Sequence, residues 1–312
     1  MVRLGRLLLA FCTALFSFGV FALPVLAQAS TADIACSVTR PCPPPPPQYF
    51  FQTGFQVGTP QFWNYFLRRG GVMTFGYPIS RTFQLLGYPT QIFQRQVMQL
   101  WPDGSVHLLN LLDPSVMPYT SFNFSQIPAV DPPLIAQAPS PNDPNYAREV
   151  IAFVEQHAPN QWNGLPVDFA QTFGVSVLAS VAFPGLPASS SQVQALLPLV
   201  QLEVWGIPVS EPAYDPANHN FVYLRWQRGV MMYDASCGCT EGMLFGQYLK
   251  EIMMDQNLPP DLQQEAAGSP YLAQYDPSQP DWIVHPAALP GTNLTSAFVP
   301  VLQPLLFPKT GQ

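Results

Sequence analysis

Hydrophobic and polar residues alternate along "TQIFQRQVMQLWPDGSVHLLNLL", residues 90–112, on both sides of Pro102-Asp103-Gly104-Ser105. Successive strand side chains point to opposite faces, so an alternation broken by Asp-Gly predicts a β-hairpin, with Ile92 and Phe93 on the way in and Val106 and Leu108 on the way back. "FVYLRWQRGVMMYDA", residues 221–235, reads as a second strand region. Three stretches carry a helical period instead. Thr59-Pro60 before "QFWNYFLRRGG" supplies an N-cap, a proline at the first helical position and a double-glycine exit, with Phe62, Tyr65, Phe66 and Arg69 at helical spacing. Asn145 can cap a helix whose Tyr146, Val150, Phe153 and Val154 share a face and whose end is marked by Pro159. Thr240 opens "EGMLFGQYLKEIMM", where Met243, Leu244, Leu249, Ile252 and Met253 recur with the helical period. The expected fold class is α+β: two related units of short helix plus β-hairpin, joined by long Pro-rich loops.

The relation between the units is written in the words themselves. "FGYPIS", residues 75–80, precedes "QRQVM", residues 94–98; "WGIPVS", residues 205–210, precedes "QRGVM", residues 227–231. The second copy differs by a short insertion in one loop, which indicates duplication. Each Gly-x-Pro-x-Ser follows an aromatic residue, Phe75 or Trp205. It reads first as turn chemistry, since glycine tolerates φ > 0, proline fixes the next bend and the serine hydroxyl can bond nearby backbone.

The chain divides accordingly. Residues 1–27 begin with Arg3 and Arg6, run through "LLLAFCTALFSFGVFALPVL" and exit at Val25 and Ala27, as a secretory signal peptide does. A membrane anchor is the alternative, opposed by Pro24 and the small-residue exit; with the signal removed, no span is expected. Asp33 before Cys36 argues against a lipobox. Residues 28–48 form a Pro-rich spacer ending in "PCPPPPPQ", stiff because polyproline is extended. The first unit covers 49–113, a linker over the surface 114–144, and the second unit 145–258. Residues 259–312 are an irregular tail expected to dock on the second unit through Tyr271, Tyr275, Trp282 and Phe298.

Composition narrows the function classes. The 312 residues include 37 prolines, and 48% are hydrophobic while 10% are charged, so the chain can fill real cores and its surface relies little on ion pairs. The net charge of −7 becomes more negative when Arg3 and Arg6 leave with the signal, which makes nucleic acid a poor partner. Cys36, Cys42, Cys237 and Cys239 then remain, an even number in an oxidising compartment; of three possible connectivities, the local pairs 36–42 and 237–239 are preferred.

"YFLRRGGVMTFGYPIS" and "RWQRGVMMYDASCGCTEGMLFGQYL" resemble the LGFP repeat of bacterial cell-surface proteins, which pairs a short helix and Gly-Gly with a Leu-Gly-x-Pro turn, an aromatic hairpin and a small helix. The likeness covers residues 60–109 and 196–250. The chain is also similar to secreted proteins of filamentous green non-sulfur bacteria. The resemblance implies association with the envelope or wall; the partner expected of the chain as a whole is cell-envelope polysaccharide or another surface protein. At Arg95 and Arg228 the chain departs from the repeat, which favours glycine after the glutamine.

A binding site made by the repeat would use Gln94 with Arg95 and Gln227 with Arg228, beside Trp101 or Tyr233, since aromatics with planar amide and guanidinium donors suit sugars and acidic wall polymers. The competing use of the Gln-Arg pair is structural, pinning each hairpin to its turn. Glycosidase chemistry would need two facing acids, for which Glu203, Glu211 and Asp234 are the candidates; Arg81 occupies the place of Glu211 in the first copy. His107, His157, His219 and His285 are isolated, so no zinc or other cofactor is expected. "DPANHN", residues 215–220, lacks the alternation of a calcium loop and reads as a turn. Cys237-Gly238-Cys239 could be a redox couple, with a structural bridge the simpler reading. "LPGTN", residues 289–293, departs from a wall-sorting signal at Asn293. The expected function is a secreted, non-enzymatic envelope protein that binds or organises polysaccharide; the alternatives are a purely structural surface protein and a polysaccharide hydrolase.

Overall fold

Proline at position 60 has no N–H to lose in a helix's first turn, and Thr59 accepts the amide of Phe62 at 3.1 Å, so α1 (Pro60–Arg68) starts where the sequence places it. The computed structural model describes residues 48–278 and 288–301, all within one compact body, Pro43–Gln303. The 1–27 leader, nearly all of the spacer, Cys36, Cys42, Trp282 and His285 lie outside the described residues. A two-stranded ribbon, β1 (Tyr49–Phe50) and β2 (Phe55–Gln56), precedes α1. Gly70 and Gly71 follow α1 with φ of 98° and 58°, a conformation that breaks the helix and restarts it as α2 (Gly71–Phe75).

Behind α2 runs an antiparallel meander: β3 (Phe83–Leu85), β4 (Tyr88–Ile92), β5 (Val97–Leu100) and β6 (Val106–Leu108). The Asp-Gly turn forms at the β5–β6 tip, with Gly104 at φ 84° and Trp101 N–H bonded to Ser105 O at 2.9 Å. The second copy repeats the plan. The helix α7 (Ser191–Trp205) leads into β9 (Ala213–Tyr214), β10 (Phe221–Arg225), β11 (Val230–Asp234) and β12 (Cys239–Gly242), again paired in chain order, then α8 (Phe245–Met254). The fold is therefore α+β. Thr240 belongs to β12 and not to the helix, because Tyr233 pairs with it in the ladder and the helix starts only after Met243 N–H bonds Val230 O.

Alternation gives each sheet two apolar faces. Ile92 and Val97 of the first sheet bury against Tyr223 and Val230 of the second and Phe245, Leu249 and Ile252 of α8, so the two copies share one core. On the outer side of the first sheet, Phe93 and Met98 pack against Phe62, Phe66 and Phe75 of α1 and α2. On the outer side of the second, Val222, Trp226, Met231 and Tyr233 pack against α5 (Phe169–Val175) and α7.

Two expectations about the connections change. The 114–144 segment runs over the surface only in its second half: Val116, Met117, Tyr119, Phe122 and Ile127 are buried in the shared core, with a short ribbon, β7 (Ser121–Phe122) and β8 (Ser125–Gln126), whereas the capped helix α3 (Pro132–Gln137) and the residues after it are mostly exposed. Irregular backbone can be buried only if its carbonyls find donors. Arg225, 1% exposed, supplies them: its guanidinium donates to Leu112 O at 3.3 Å, Tyr119 O at 3.1 Å and Pro128 O at 3.3 Å. Burial lowers the guanidinium's pKa to about 10. The tail also runs elsewhere than on the second copy alone. After α9 (Pro260–Ala266), Tyr275 N–H bonds Met253 O at 2.8 Å on α8, but Asn293 pairs with Gln84 on β3, and Arg81 donates to Val299 O at 2.7 Å and Pro300 O at 3.0 Å. The outer edge of β3 has backbone groups with no strand neighbour, and the tail fills them. Tyr271, Tyr275 and Phe298 are buried as docking points.

Three further helices lie between the copies: α4 (Tyr146–His157), α5 and α6 (Ala179–Ala182). The sequence pattern shows α4 but not α7, whose Pro198 interrupts it and whose apolar residues surround it; the legible signal is Ser190, which accepts Val193 N–H at 3.3 Å as an N-cap.

Replacing Arg225 with methionine keeps the volume and removes the donors from the buried carbonyls of Leu112 and Tyr119 and the half-buried one of Pro128. We expect a loss of about 2–4 kcal/mol in urea unfolding; an unchanged midpoint would mean that residues 112–128 stay buried without the guanidinium.

Candidate functional site

The repeated words meet as one device, formed twice. Gly76 (φ 72°) and Gly206 (φ 74°) end α2 and α7, their N–H groups closing on Val72 O at 2.9 Å and Leu202 O at 2.7 Å. The next amide has no helical or strand partner, and the glutamine side chain takes it: Tyr77 N–H donates to Gln94 Oε1 at 2.9 Å and Ile207 N–H to Gln227 Oε1 at 3.2 Å. In return Gln94 N–H donates to Tyr77 O and Gln227 N–H to Ile207 O, both at 3.0 Å. The serines finish the turn, Ser80 Oγ accepting Ile92 N–H at 2.8 Å and Ser210 Oγ accepting Arg225 N–H at 3.1 Å. Neither glycine can be exchanged for space reasons as well as for its φ: a Cβ on Gly76 would stand 2.6 Å from Gln94 Cβ, and one on Gly206 2.5 Å from Gln227 Oε1.

The two arginines diverge. Arg228 Nη1 donates to Leu202 O at 3.3 Å, at the end of its own helix, and burial lowers its pKa. Arg95 Nε reaches across to Gly242 O at 3.1 Å, beside Glu241 at 4.0 Å, while Gln247 N–H bonds Gln94 O at 3.0 Å. Arg95 thus ties the first hairpin to the exit of the second. All four polar members of the candidate set are engaged with protein.

The aromatic members part company as well. Counted from Gln94 and Gln227, Trp101 stands one position further along its strand than Tyr233, and one step along a strand reverses the face. Tyr233, 3% exposed, lies among Val222, Trp226 and Met231 under α5, where Thr240 also bonds Val167 O at 2.6 Å. Trp101, 42% exposed, sits at the tip of the first hairpin with His107 stacked on it at 4.1 Å between ring centroids and Tyr88 at 5.8 Å. Beside the rings Asp103 Oδ1 accepts Ser105 N–H at 2.9 Å, and Ser105 Oγ lies 2.8 Å from His107 Nε2. From the sequence His107 stands only as an isolated histidine and Tyr88 is not singled out, although strand parity puts both on Trp101's face.

The acids are separately employed. Glu203 accepts Arg69 at 2.8 Å and 3.0 Å, Glu211 meets His157 Nδ1 at 3.1 Å, and Asp234 accepts Ser236 N–H at 2.8 Å in the turn after β11. Hydrogen bonds from Ser236 hold the Asp234 carboxyl below its ordinary value, the opposite of a general acid's requirement. Burial first, then the charge of Glu203, raises the Tyr65 phenol well above its ordinary value. Asp215 accepts Ala217 N–H at 2.9 Å within the turn expected of "DPANHN". Among the described residues no group of three or more His, Cys, Asp and Glu is placed to hold a metal, and no helix is long and apolar enough to cross a membrane. Cys237 and Cys239 are disulfide-bonded to each other.

No protein-family model matches the chain, and no curated protein or solved structure matches it.

With Arg228 half-buried and bonded to a helix end, its truncation to alanine should destabilise the chain by about 1–3 kcal/mol, read as a shifted urea midpoint. A variant that melts like the parent but no longer binds its ligand would instead make the second hairpin a binding surface.

Proposed function

We propose that the chain is a secreted, non-enzymatic protein of the cell envelope that binds wall or surface polysaccharide through the ring ledge Tyr88–Trp101–His107. The observation that carries this reading is Trp101: a large indole left 42% exposed at a hairpin tip and stacked in a row with two further rings. Flat aromatic faces pack against the C–H faces of pyranose rings, and Asp103, Ser105 and His107 offer hydrogen-bonding groups at the same edge. The signal-like residues 1–27 and the likeness to LGFP repeats support an envelope location. The net charge of −7 favours neutral sugars over acidic polymers.

A second reading, docking to another surface protein, is favoured by Leu67, Met73, Val175 and Leu178. These exposed apolar side chains lie on the segments that Thr74 joins by its bond to Ser176 O at 2.6 Å; Met73 is 86% exposed.

Retention of the mature chain on purified cell walls, competed by soluble glycans, tests the first reading against the second. Trp101→Ala should weaken retention about tenfold or more while stability stays within about 0.5 kcal/mol. Absence of retention at every salt concentration would refute wall binding, and retention that soluble glycans do not compete would transfer the role to the apolar side chains.

A further inference from the structure

We propose that the Cys237–Cys239 disulfide is a thiol–disulfide exchange site that takes electrons from dithiols of other exported proteins or peptides. Cys237, Gly238 and Cys239 are all exposed, at the turn between β11 and β12. Gly238 between them stands at φ 61° with nothing within 4 Å of where a Cβ would be, and the exposure of both cysteines leaves the bridge open to an incoming thiolate.

The bond has little structural work at this position. The hairpin is already closed by the pairs Tyr233↔Thr240 and Asp234↔Cys239, by Gly238 N–H to Asp234 O at 2.8 Å and by Ser236 N–H to Asp234 Oδ1 at 2.8 Å. The first copy is an internal control. Its corresponding β5–β6 tip closes with Trp101 N–H to Ser105 O and Gly104 N–H to Trp101 O, both at 2.9 Å, and contains no cysteine. A bridge between residues two apart also closes the smallest loop, where the constraint on the unfolded chain is least. Exposed bridges with no such role are the labile, chemically active ones.

In the exchange, a partner thiolate attacks one Sγ. A partner–chain S–S bond forms as the Cys237–Cys239 bond breaks, and the other sulfur leaves as a thiolate that takes a proton from water. The partner's second thiolate then attacks the partner sulfur of the mixed disulfide, forming the partner's disulfide and releasing the second cysteine. Two electrons pass to the chain, and the partner is oxidised. The chain carries the pair as a disulfide, which is the form that accepts two electrons from a dithiol.

Equilibration of the full mature chain in glutathione buffers, followed by differential alkylation and peptide mapping, reads this pair apart from Cys36 and Cys42. We expect it to be reduced at glutathione ratios that leave ordinary secreted disulfides intact, with the melting temperature of the Cys237→Ser/Cys239→Ser chain within about 2 °C of the parent. A synthetic peptide with two thiols should be oxidised about tenfold faster by the parent than by that double variant. The proposal is overturned by any of three results: a pair that resists reduction until the chain unfolds, a double variant that melts more than about 5 °C lower, or equal rates of peptide oxidation.

Discussion

A Gly-x-Pro turn that ends a helix leaves one amide stranded, facing inward with neither a helical carbonyl nor a strand to receive it. In both copies a glutamine from the neighbouring hairpin receives it, at 2.9 Å in the first and 3.2 Å in the second. That bond fixes where the hairpin sits against the turn, and with it the register of each meander, because Gln94 and Gln227 stand between the two central strands of their sheets. The glycine is held in place by the same glutamine, whose Cβ and Oε1 leave no room for a side chain opposite. Four residue types spread over two distant words are thus one mechanical unit, which is sufficient reason for them to recur together.

Once the two meanders exist, each has two apolar faces and only one of them can be covered by its own helix. The inner faces therefore meet, and the space beside them is filled by apolar side chains from residues 116–127, whose backbone is irregular apart from the short β7–β8 ribbon. Arg225 makes this filling possible by donating to three carbonyls that belong to no ladder. It comes from the end of β10, next to the second copy's turn, so one strand carries both the repeated lock and the donor that holds the irregular segment. The C-terminal segment applies the same logic at the edge of β3, where free backbone groups are met by Asn293 and the tail's carbonyls by Arg81.

Symmetry in the turns did not extend to their surroundings, and the differences are where function can reside. α5 covers the outer face of the second sheet and takes Tyr233 with it, while the first hairpin projects and keeps Trp101 in solvent with His107 and Tyr88. The second hairpin tip carries instead an exposed disulfide where the first has an Asp-Gly turn. The recurring turn residues are occupied with their own folding; the hairpin tips, where the two meanders differ, are exposed.

The α+β class, the capped start of α1, the Asp-Gly hairpin and the recurrence of the turn words were legible because each rests on local chemistry: a cap, a proline without N–H, a glycine with positive φ, an alternation of period two. The structural use of Gln94 and Gln227 was legible as one of two alternatives for the same reason, since recurrence of a polar residue beside a turn word points to backbone pairing. Tertiary structure alone decided that Arg95 crosses to Gly242 while Arg228 returns to Leu202, that Tyr233 is closed and Trp101 open, that residues 116–127 enter the core, and that the tail reaches β3. Each of these depends on what lies opposite a residue in space, and burial and hydrogen-bond satisfaction are properties of pairs of segments far apart in sequence, which no local pattern encodes.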